Sequence, residues 1–341
     1  MMDWTDRHCR YFLRGFSSLA LLYTEMITSA AIVRGDARRL LTFDPEEHPV
    51  ALQLGGSEPR ELAAAARAGE ETGYDEINLN CGCPSDRVAS GAFGACLMRE
   101  PARVADCVAA MRAAVSIPVT VKMRIGVVSG PREQTRGALS RFDESDLEAL
   151  HGFVSQVRDA GCEVAIVHAR KAVLGGLSPK DNREVPPLRY DVVRGLKERF
   201  NDLPLIVNGG FRTPASVLEG LTWCDGVMLG REAYHRPFVL SELQQALGDA
   251  GFEPPSREAL LERMARYAQR QLARGERLST ITRHMLGLYS GEPGARDYRR
   301  LLSEGARAVG AGPELILQAA DAARLARRGS ETASGSGGSS G

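Results

Sequence analysis

Short apolar segments alternate with helical patterns along the first two thirds of the chain. The segments are rich in β-branched residues and are bounded by Gly, Pro, Ser or Asn, which is typical of buried parallel strands. The helical patterns carry start signals, such as Ser57 followed by Pro59 and the capping box that begins at Ser145. Seven strands are predicted before residue 232: 18–25, 50–54, 76–80, 118–122, 164–168, 203–207 and 226–229.

This alternation predicts an α/β fold with a parallel sheet, and polar residues at the strand ends favour a TIM (β/α)8-type barrel. An open doubly wound sheet is the alternative, but it gathers ligand contacts chiefly at one switch point. Because eight strands close such a barrel, we expect its first strand to be missing or truncated, which leaves two open edges. We also expect the natural start to lie upstream, or the chain to be a shortened form. The strand-end residues are Gln53, Asn80, Lys122, His168, Asn208 and Arg231.

The pattern changes after about residue 238, where helical periodicity continues without strand segments. We therefore predict a barrel domain over 1–238, a small all-α helical domain over 239–328 and a flexible Gly/Ser-rich tail over 329–341. Although the whole chain has 43 basic and 43 acidic residues, 257–328 holds 14 Arg, no Lys and 8 acidic residues. This local excess fits a phosphate-binding face, although an Arg-rich helical surface of biased composition would look the same.

The cysteines and the hydropathy exclude several classes of protein. Seven scattered cysteines without a secretory leader indicate reduced thiols in the cytoplasm. No apolar run approaches the roughly 18 residues that a membrane helix needs, so we expect no membrane partner. Cys81, Cys83 and Cys96 lack the spacing of a zinc site, and we expect no metal.

Two amides and a cysteine mark the end of the predicted strand 76–80. Asn78 and Asn80 share parity, so both side chains point to one face of the strand. Cys83 follows at a Gly/Pro-broken turn. At the carboxyl end of a barrel strand these residues are candidates for chemistry. The alternative is that the amides cap a turn and Cys83 fills space as a small apolar residue.

Two glycine turns follow the last two predicted strands, at Asn208-Gly209-Gly210 and at Gly230-Arg231. In barrels these two loops commonly form a phosphate site, where backbone N–H groups and an arginine contact the anion. Both turns could instead use glycine only because they need a positive φ. Their joint occurrence with a cation favours the phosphate site.

Lys122 lies at a strand end in a chain with only four lysines, and a buried lysine needs a partner or a role. It could be a Schiff-base amine, or a cation beside the edge of a reduced flavin. His168 could donate to the same ring or to a phosphate, or be a core histidine. Gln53 can bind the pyrimidine edge of a flavin through both amide atoms. Together with a phosphate site, this set fits flavin mononucleotide (FMN) better than a sugar phosphate.

At this point the chain resembles the tRNA-dihydrouridine synthases, specifically the A-type subfamily that modifies the D-loop uridines 20 and 20a of tRNA. The similarity runs from Met1 to about Arg300. It rests on MMDWTDRHCRYF, VALQLGG, INLNCGCPSDRVASGAFGACLM, VTVKMRIG, VHARKAVLGGLSPKDNREVPPLRY, VNGG, VMLGRE and GARDYRR.

The resemblance implies a barrel that carries FMN and a helical domain that holds tRNA. It implies that Cys83 protonates C5 of uracil, that the reduced flavin gives hydride to C6, and that NADPH reduces the flavin again. The implied FMN contacts are Met1, Met2, Gln53, Lys122, His168, Asn208, Gly209, Gly210, Gly230 and Arg231. The implied tRNA contacts are Asn80, Lys180, Asp181, Glu184, Arg296 and Arg299.

Two other functions remain open from the residues. One is an FMN-dependent barrel oxidoreductase that acts on a free pyrimidine, as dihydroorotate dehydrogenases do, although the Arg-rich helical domain argues against it. The other is an inactive RNA-binding relative, against which Cys83, Lys122 and His168 argue. We expect a monomer in either case.

Overall fold

The computed structural model describes residues 1–84, 93–130, 137, 139, 141–175 and 177–335. The chain forms two compact units. The barrel unit comprises Met1–Asp3 and Leu21–Gly230, and the helical unit comprises Trp4–Ala20 and Arg231–Gly341.

The units divide the chain differently from the predicted domains. The helical unit begins at Arg231 rather than at residue 239, and it includes the segment Trp4–Ala20, which the sequence assigned to the barrel. Tyr11 in this segment stacks on Tyr267 with 4.0 Å between ring centroids. Contacts between residues so far apart in sequence leave no periodic signal, and this is why the pattern placed the segment with its neighbours in the chain.

The barrel unit is built on one parallel sheet of eight strands. Seven of them lie in the order β1-β3-β4-β5-β7-β9-β10, and β2 pairs with the end of β3. Helices on the connections make this the α/β barrel architecture that the sequence predicts. Among the described residues, β1 and β10 are the two ends of the sheet. The strands are β1 Leu22–Tyr23, β2 Ile27–Thr28, β3 Val50–Gly55, β4 Glu76–Cys81, β5 Val119–Arg124, β7 Val164–His168, β9 Leu205–Asn208 and β10 Gly226–Met228.

Two further strands, β6 Val127–Ser129 and β8 Ala172–Leu174, form a separate parallel pair. The sequence predicted only loops at 126–142 and 169–187, because three-residue strands are too short to show a period. The predicted strand 18–25 is also shorter, with only Leu22–Tyr23 paired. Residues 131–136, 138 and 140 of the first loop, and residue 176 of the second, lie outside the described residues.

The helices of the barrel unit cover the sheet with their apolar faces. Their ends follow local signals: Pro59 and Pro101 occupy first turns, and Thr213 caps a helix through a bond from the Ser216 N–H. Two short helices before β3 were not predicted. The helices are α1 Arg7–Arg14 (in the helical unit), α2 Ser29–Arg34, α3 Ala37–Leu41, α4 Pro59–Thr72, α5 Pro101–Arg112, α6 Glu144–Asp159, α7 Tyr190–Arg199 and α8 Pro214–Leu221.

The helical unit contains helices alone within its described residues. Besides α1 these are α9 Arg231–His235, α10 Val239–Ala246, α11 Arg257–Leu272, α12 Leu278–Thr282, α13 Ala295–Glu304 and α14 Glu314–Gly335. The last helix extends seven residues into the predicted tail 329–341, and residues 336–341 lie outside the described residues. In the part of the chain that the structure describes, no helix has both the length and the apolar character to cross a bilayer.

Candidate functional site

A continuous chain of buried polar side chains runs through the interior of the sheet. Asn80 Nδ2 donates to Gln53 Oε1 (2.8 Å), Gln53 Nε2 donates to Asn78 Oδ1 (2.9 Å), and Asn78 Nδ2 donates to Thr120 Oγ1 (2.8 Å). The Thr120 hydroxyl in turn donates to Glu76 Oε1 (2.6 Å). We call these five residues the interior chain. Asn78 and Asn80 therefore point to the same face, as their parity predicts.

Gln53 uses both of its amide atoms within this chain. Its Oε1 keeps one lone pair and its Nε2 keeps one N–H for another partner. The side chain is buried, and its orientation is set by its neighbours Asn78 and Asn80. Gln53 can thus offer a ligand one donor and one acceptor of fixed direction.

The turn that carries Cys83 is held by the side chain of Asn80. Asn80 Oδ1 accepts from the backbone N–H groups of Gly82 and Cys83, both at 3.0 Å. The Cys83 carbonyl accepts from the Ala95 N–H at 2.9 Å. Cys83 itself is half-buried. The turn is therefore fixed on both sides while its thiol side chain keeps partial access.

Lys122 lies on β5 next to Asn80 on β4, and its Nζ donates to Asn208 Oδ1 at 3.1 Å. Asn208 is oriented in turn by donating its Nδ2 to the Met228 carbonyl at 2.8 Å. Burial, with a contribution from the charge of Arg124, lowers the pKa of Lys122 to about 8, while Cys83 opposes this shift. The amine is therefore largely protonated at pH 7, and it lies on the strand next to Asn80, whose side chain holds the Cys83 turn.

Arg124, two residues further along β5, is buried and was not recognised from the sequence as a site residue. Its Nε donates to the Gly82 carbonyl (3.1 Å), and its Nη1 donates to the carbonyls of Lys171 and Asn182. Burial lowers its pKa to about 10. Arg124 shares the parity of Lys122, and this shared parity was the available signal. It ties the Cys83 turn to the long loop after β7.

His168 ends β7 and lies next to Arg124 on β5 and Asn208 on β9. Burial and the charges of Arg124 and Lys122 hold its pKa well below the usual range, so the imidazole is neutral at pH 7. A neutral ring donates through one nitrogen and accepts through the other.

Gly209 and Gly210 follow directly, with φ values of +113° and +84°. A Cβ atom on Gly209 would come within 2.7 Å of His168 Cδ2, and one on Gly210 within 2.6 Å of the Tyr190 hydroxyl. The Tyr190 hydroxyl donates to the Gly209 carbonyl. Both glycines are explained by their positive φ and by the close approach of these neighbouring side chains, which leave no room for a Cβ.

The predicted FMN contacts around Met1 and Gly230 make fewer described contacts with the other predicted site residues. Met1 is 36% exposed and Met2 is 51% exposed. A Cβ on Gly230 would lie 3.8 Å from Met1 Sδ. Arg231 is the first residue of α9 and belongs to the helical unit.

The loop after β7 carries three of the predicted tRNA contacts. Lys180 and Glu184 flank the short 3-10 turn Asp181–Arg183, and the Asp181 carboxylate accepts from Ser178 at 2.8 Å. This turn is organised by Asn182, which is fully buried and bonds both the N–H and the carbonyl of Val173. Asn182 is a second residue that the sequence did not single out.

The remaining predicted contacts, Arg296 and Arg299, lie on α13 of the helical unit. Both are exposed, as is Arg300. Arg300 pairs with Asp297 on the same helix at 3.3 Å. The buried side of α13 carries Tyr298 and Leu302, which explains why the arginines occupy the outer face.

The structure thus unites Gln53, Asn80, Cys83, Lys122, His168 and Asn208–Gly210 at the carboxyl ends of neighbouring strands. It contains no cluster of three or more His, Cys, Asp or Glu side chains suited to a metal ion among the described residues. Residues 85–92 of the Cys83 segment lie outside the described residues. A half-buried amine, a neutral imidazole and a half-buried thiol on one rim can hold an anionic cofactor and deliver a proton.

Comparison with known proteins identifies the family. The family model described as dihydrouridine synthase matches residues 1–324. The chain belongs to the dihydrouridine synthase family. Its members are flavin-dependent oxidoreductases, and this confirms the resemblance seen in the sequence motifs.

Several curated relatives carry the name tRNA-dihydrouridine(20/20a) synthase. The protein from Xanthomonas campestris is 54% identical over 319 residues, covering 94% of this chain and 90% of the relative. The one from Pseudomonas aeruginosa is 54% identical over 303 residues, covering 89% and 87%. The one from Vibrio vulnificus is 51% identical over 320 residues, covering 94% of each.

Proposed function

We propose that this protein reduces uridine to 5,6-dihydrouridine in the D-loop of tRNA, at positions 20 and 20a, as the names of its relatives state for them. The cofactor is FMN and the reductant is NADPH. The protein acts as a monomer in the cytoplasm. The observation that carries the proposal is the Cys83 turn, held by Asn80 within electrostatic range of the Lys122 amine on the rim of a parallel sheet.

The residues of the rim suit FMN. Gly209 and Gly210 carry no side chain and follow His168 and Asn208 on the rim, so their backbone N–H groups are candidates for contacts with a phosphate. His168, Asn208 and Lys122 offer donors beside it. Gln53 has one donor and one acceptor left for the pyrimidine edge. Met1, Met2, Gly230 and Arg231 complete the proposed set of contacts.

Bound FMN supplies the hydride that adds to C6 of the uracil, after reduction by NADPH. The chain's own contribution is the proton at C5, which Cys83 donates from its thiol. Asn80 fixes the turn, so the thiol is held at one position. The Lys122 ammonium stabilises negative charge that develops nearby during the reaction, because a buried cation interacts strongly with a buried anion.

The tRNA is held through its phosphates by arginines on the helical unit, with Arg296 and Arg299 on the exposed face of α13. Asn80 and the loop residues Lys180, Asp181 and Glu184 contact the nucleotides near the target. A uracil must leave its stack to reach a site at the end of the strands, so the loop and the rim receive a flipped base.

The test is a purification of the full chain followed by a visible spectrum and an activity assay. We expect a yellow protein with flavin bands near ~370 and ~450 nm. It should form dihydrouridine in unmodified tRNA only when NADPH is added. A colourless protein that does not take up FMN would refute the proposal. Reduction of free uracil or orotate without tRNA would assign the chain to the free-pyrimidine class instead.

A further inference from the structure

The interior chain has a direction that is fixed independently at its two ends. At the Cys83 end, the backbone N–H groups of Gly82 and Cys83 can only donate. Asn80 must therefore present its Oδ1 to them, as it does at 3.0 Å. This leaves only the Nδ2 of Asn80 to face Gln53, which must present its Oε1 in return.

At the opposite end stands the carboxylate of Glu76. Its Oε1 accepts from the Thr120 hydroxyl at 2.6 Å and from the Tyr23 hydroxyl at 2.8 Å. Because Thr120 gives its only proton to Glu76, its oxygen can only accept from the next member of the chain. Asn78 must therefore present its Nδ2 to Thr120, as observed at 2.8 Å.

The amide orientations required by the two ends of the interior chain are compatible where Gln53 contacts Asn78. Gln53 has Nε2 on this side and Asn78 has Oδ1, so the contact is a hydrogen bond of 2.9 Å. Reversing one amide alone would bring two donors or two acceptors face to face. All five side chains are buried, which makes such a mismatch costly.

We propose that Glu76 is a positioning residue for the candidate site. As the terminal acceptor it favours, together with the Gly82 and Cys83 N–H groups at the other end, one direction for all the hydrogen bonds in the interior chain. It thereby fixes which face of the Gln53 amide meets a ligand, and it secures the Asn80 amide that holds the Cys83 turn. The assignment of Gln53 and Cys83 to a flavin and a uracil rests on the proposed function. The coupling between positions 76 and 80 does not.

The direction of the hydrogen bonds in the interior chain can be reversed by two isosteric substitutions. Asn80→Asp still accepts from the Gly82 and Cys83 N–H groups but can no longer donate to Gln53. Gln53 then has to turn its Nε2 towards position 80, Asn78 turns in response, and the Thr120 hydroxyl donates to Asn78. Glu76 now faces an oxygen that no longer donates to it. Glu76→Gln supplies the donor that this reversed chain needs.

The measurement is the melting temperature of the purified full chain in a double-mutant cycle. We expect Asn80→Asp to lower the melting temperature, and Glu76→Gln to restore about half or more of that loss when both are present. Each substitution alone should be destabilising. Absence of any recovery in the double variant would overturn the proposal.

A control separates this coupling from direct repulsion between the two carboxylates. Residues 76 and 80 are four positions apart on one strand, about 13 Å, so some repulsion acts without the chain. Thr120→Val removes the hydroxyl that links the two ends but leaves that repulsion unchanged, whereas Thr120→Ser keeps the hydroxyl. The recovery should largely vanish when the cycle is repeated with Thr120→Val and persist with Thr120→Ser. Undiminished recovery with Thr120→Val, or its loss with Thr120→Ser, would refute the proposal.

These melting curves require neither flavin binding nor tRNA reduction. A protein that forms no dihydrouridine would therefore contradict the proposed function. The Glu76 proposal would still be decided by the melting temperatures of the double-mutant cycle. If the protein is active, the Asn80→Asp variant provides a second readout. We expect it to lower the affinity for FMN several-fold, because the reversed interior chain turns the Gln53 amide around. Adding Glu76→Gln should restore the melting temperature but not this affinity, and restored FMN affinity in the double variant would contradict the reversal.

Discussion

The cations of the barrel unit and those of the helical unit differ in their surroundings. On the barrel rim, Arg124 is buried and Lys122 is half-buried, and desolvation lowers the pKa of Lys122 to about 8 and of Arg124 to about 10. On α13, Arg296 and Arg299 lie in solvent. A buried cation of low pKa can respond to a change in charge at one atom, whereas an exposed arginine keeps its charge and suits a polyanion. We therefore expect the same charge to serve chemistry in one unit and RNA binding in the other.

The largest effect should come from adding a side chain to the glycine turn on the rim. Gly209→Ala places a Cβ within 2.7 Å of His168 Cδ2 at a φ of +113°. We expect flavin binding to weaken about 100-fold, since the backbone strain and the displacement of His168 together cost roughly 3 kcal/mol. Titration of the purified chain with FMN measures this.

Gly195→Ala is the matched control, because a Cβ at this position in α7 meets nothing within 4 Å. It should bind FMN as the wild type does and be slightly more stable, as expected for alanine in a helix. Equal FMN affinity in the two variants would show that Gly209 does not face the cofactor.

The next largest effect concerns the buried amine. If the reaction needs the Lys122 ammonium, turnover should fall as pH rises through about 8, where the amine loses its proton. Lys122→Met should lower turnover about 10- to 100-fold and abolish this dependence. The pH profile of dihydrouridine formation is the measurement.

Lys197→Met is the control for that profile, because Lys197 pairs with Asp225 away from the rim at 2.8 Å. Its pH profile should match the wild type.

The stability of the protein depends on the titration of Lys122 as well. The folded pKa of Lys122 lies below the ordinary value of 10.5, so the unfolded chain binds more protons between about pH 8 and 10.5. The contribution of this group to the free energy of unfolding therefore rises with pH in that window.

A smaller effect is expected on the helical unit. The double variant Arg296→Glu, Arg299→Glu should raise the KM for tRNA about 10-fold and reduce the salt dependence of binding, with little change in flavin content. Arg158→Ala is the control, since this arginine of the barrel unit pairs with Asp159 at 2.8 Å. Unchanged tRNA affinity in the double variant would remove α13 from the RNA-binding surface.

The smallest effect on activity should come from the ion pairs that hold the N-terminal segment within the helical unit. Burial alone would raise the pKa of Asp6, but its hydrogen bond and charge interaction with His284, together with the Cys9 N–H, outweigh burial and hold the pKa well below the usual range. Arg283 also bonds this carboxylate, at 2.6 Å. We expect Asp6→Asn to lower the free energy of unfolding by about 2 kcal/mol at pH 7, and to change turnover little.

That loss depends on pH in a defined direction. Because the folded pKa of Asp6 is lowered, its contribution is complete above the ordinary value of 3.8 and disappears as pH falls through the folded pKa. The difference between Asp6→Asn and the wild type should therefore shrink at acidic pH. Asp36→Asn, at the exposed cap of α3, should show only a small loss at either pH.

Much of the fold follows from patterns of short range. Neighbours within a few residues determine the seven strands on one path, the shared parity of Asn78 and Asn80, and the helix starts at Pro59 and Thr213. The assignment of Trp4–Ala20 to the helical unit depends on Tyr267 and His284, more than 250 residues away. No local pattern carries that information.

Most residues of the site could be predicted from the sequence, but their hydrogen-bond partners could not. Lys122, His168 and Asn208 were found because polar residues at strand ends are unusual. Arg124 and Asn182 were missed because they bond backbone N–H and carbonyl groups, which the sequence does not show. The engagement of both amide atoms of Gln53 depends on the register of β3 and β4. The roles of these residues towards FMN and tRNA remain predictions.

The most direct test of the account is a single-turnover reaction of the Cys83→Ala variant. The variant is reduced with NADPH and mixed with unmodified tRNA, and the return of flavin absorbance is followed beside the wild type and a Cys96→Ala control. We predict full flavin content in all three proteins, and reoxidation by tRNA at least about 100-fold slower in Cys83→Ala alone. Reoxidation of Cys83→Ala at the wild-type rate would show that this thiol is not the proton source, and would contradict the account.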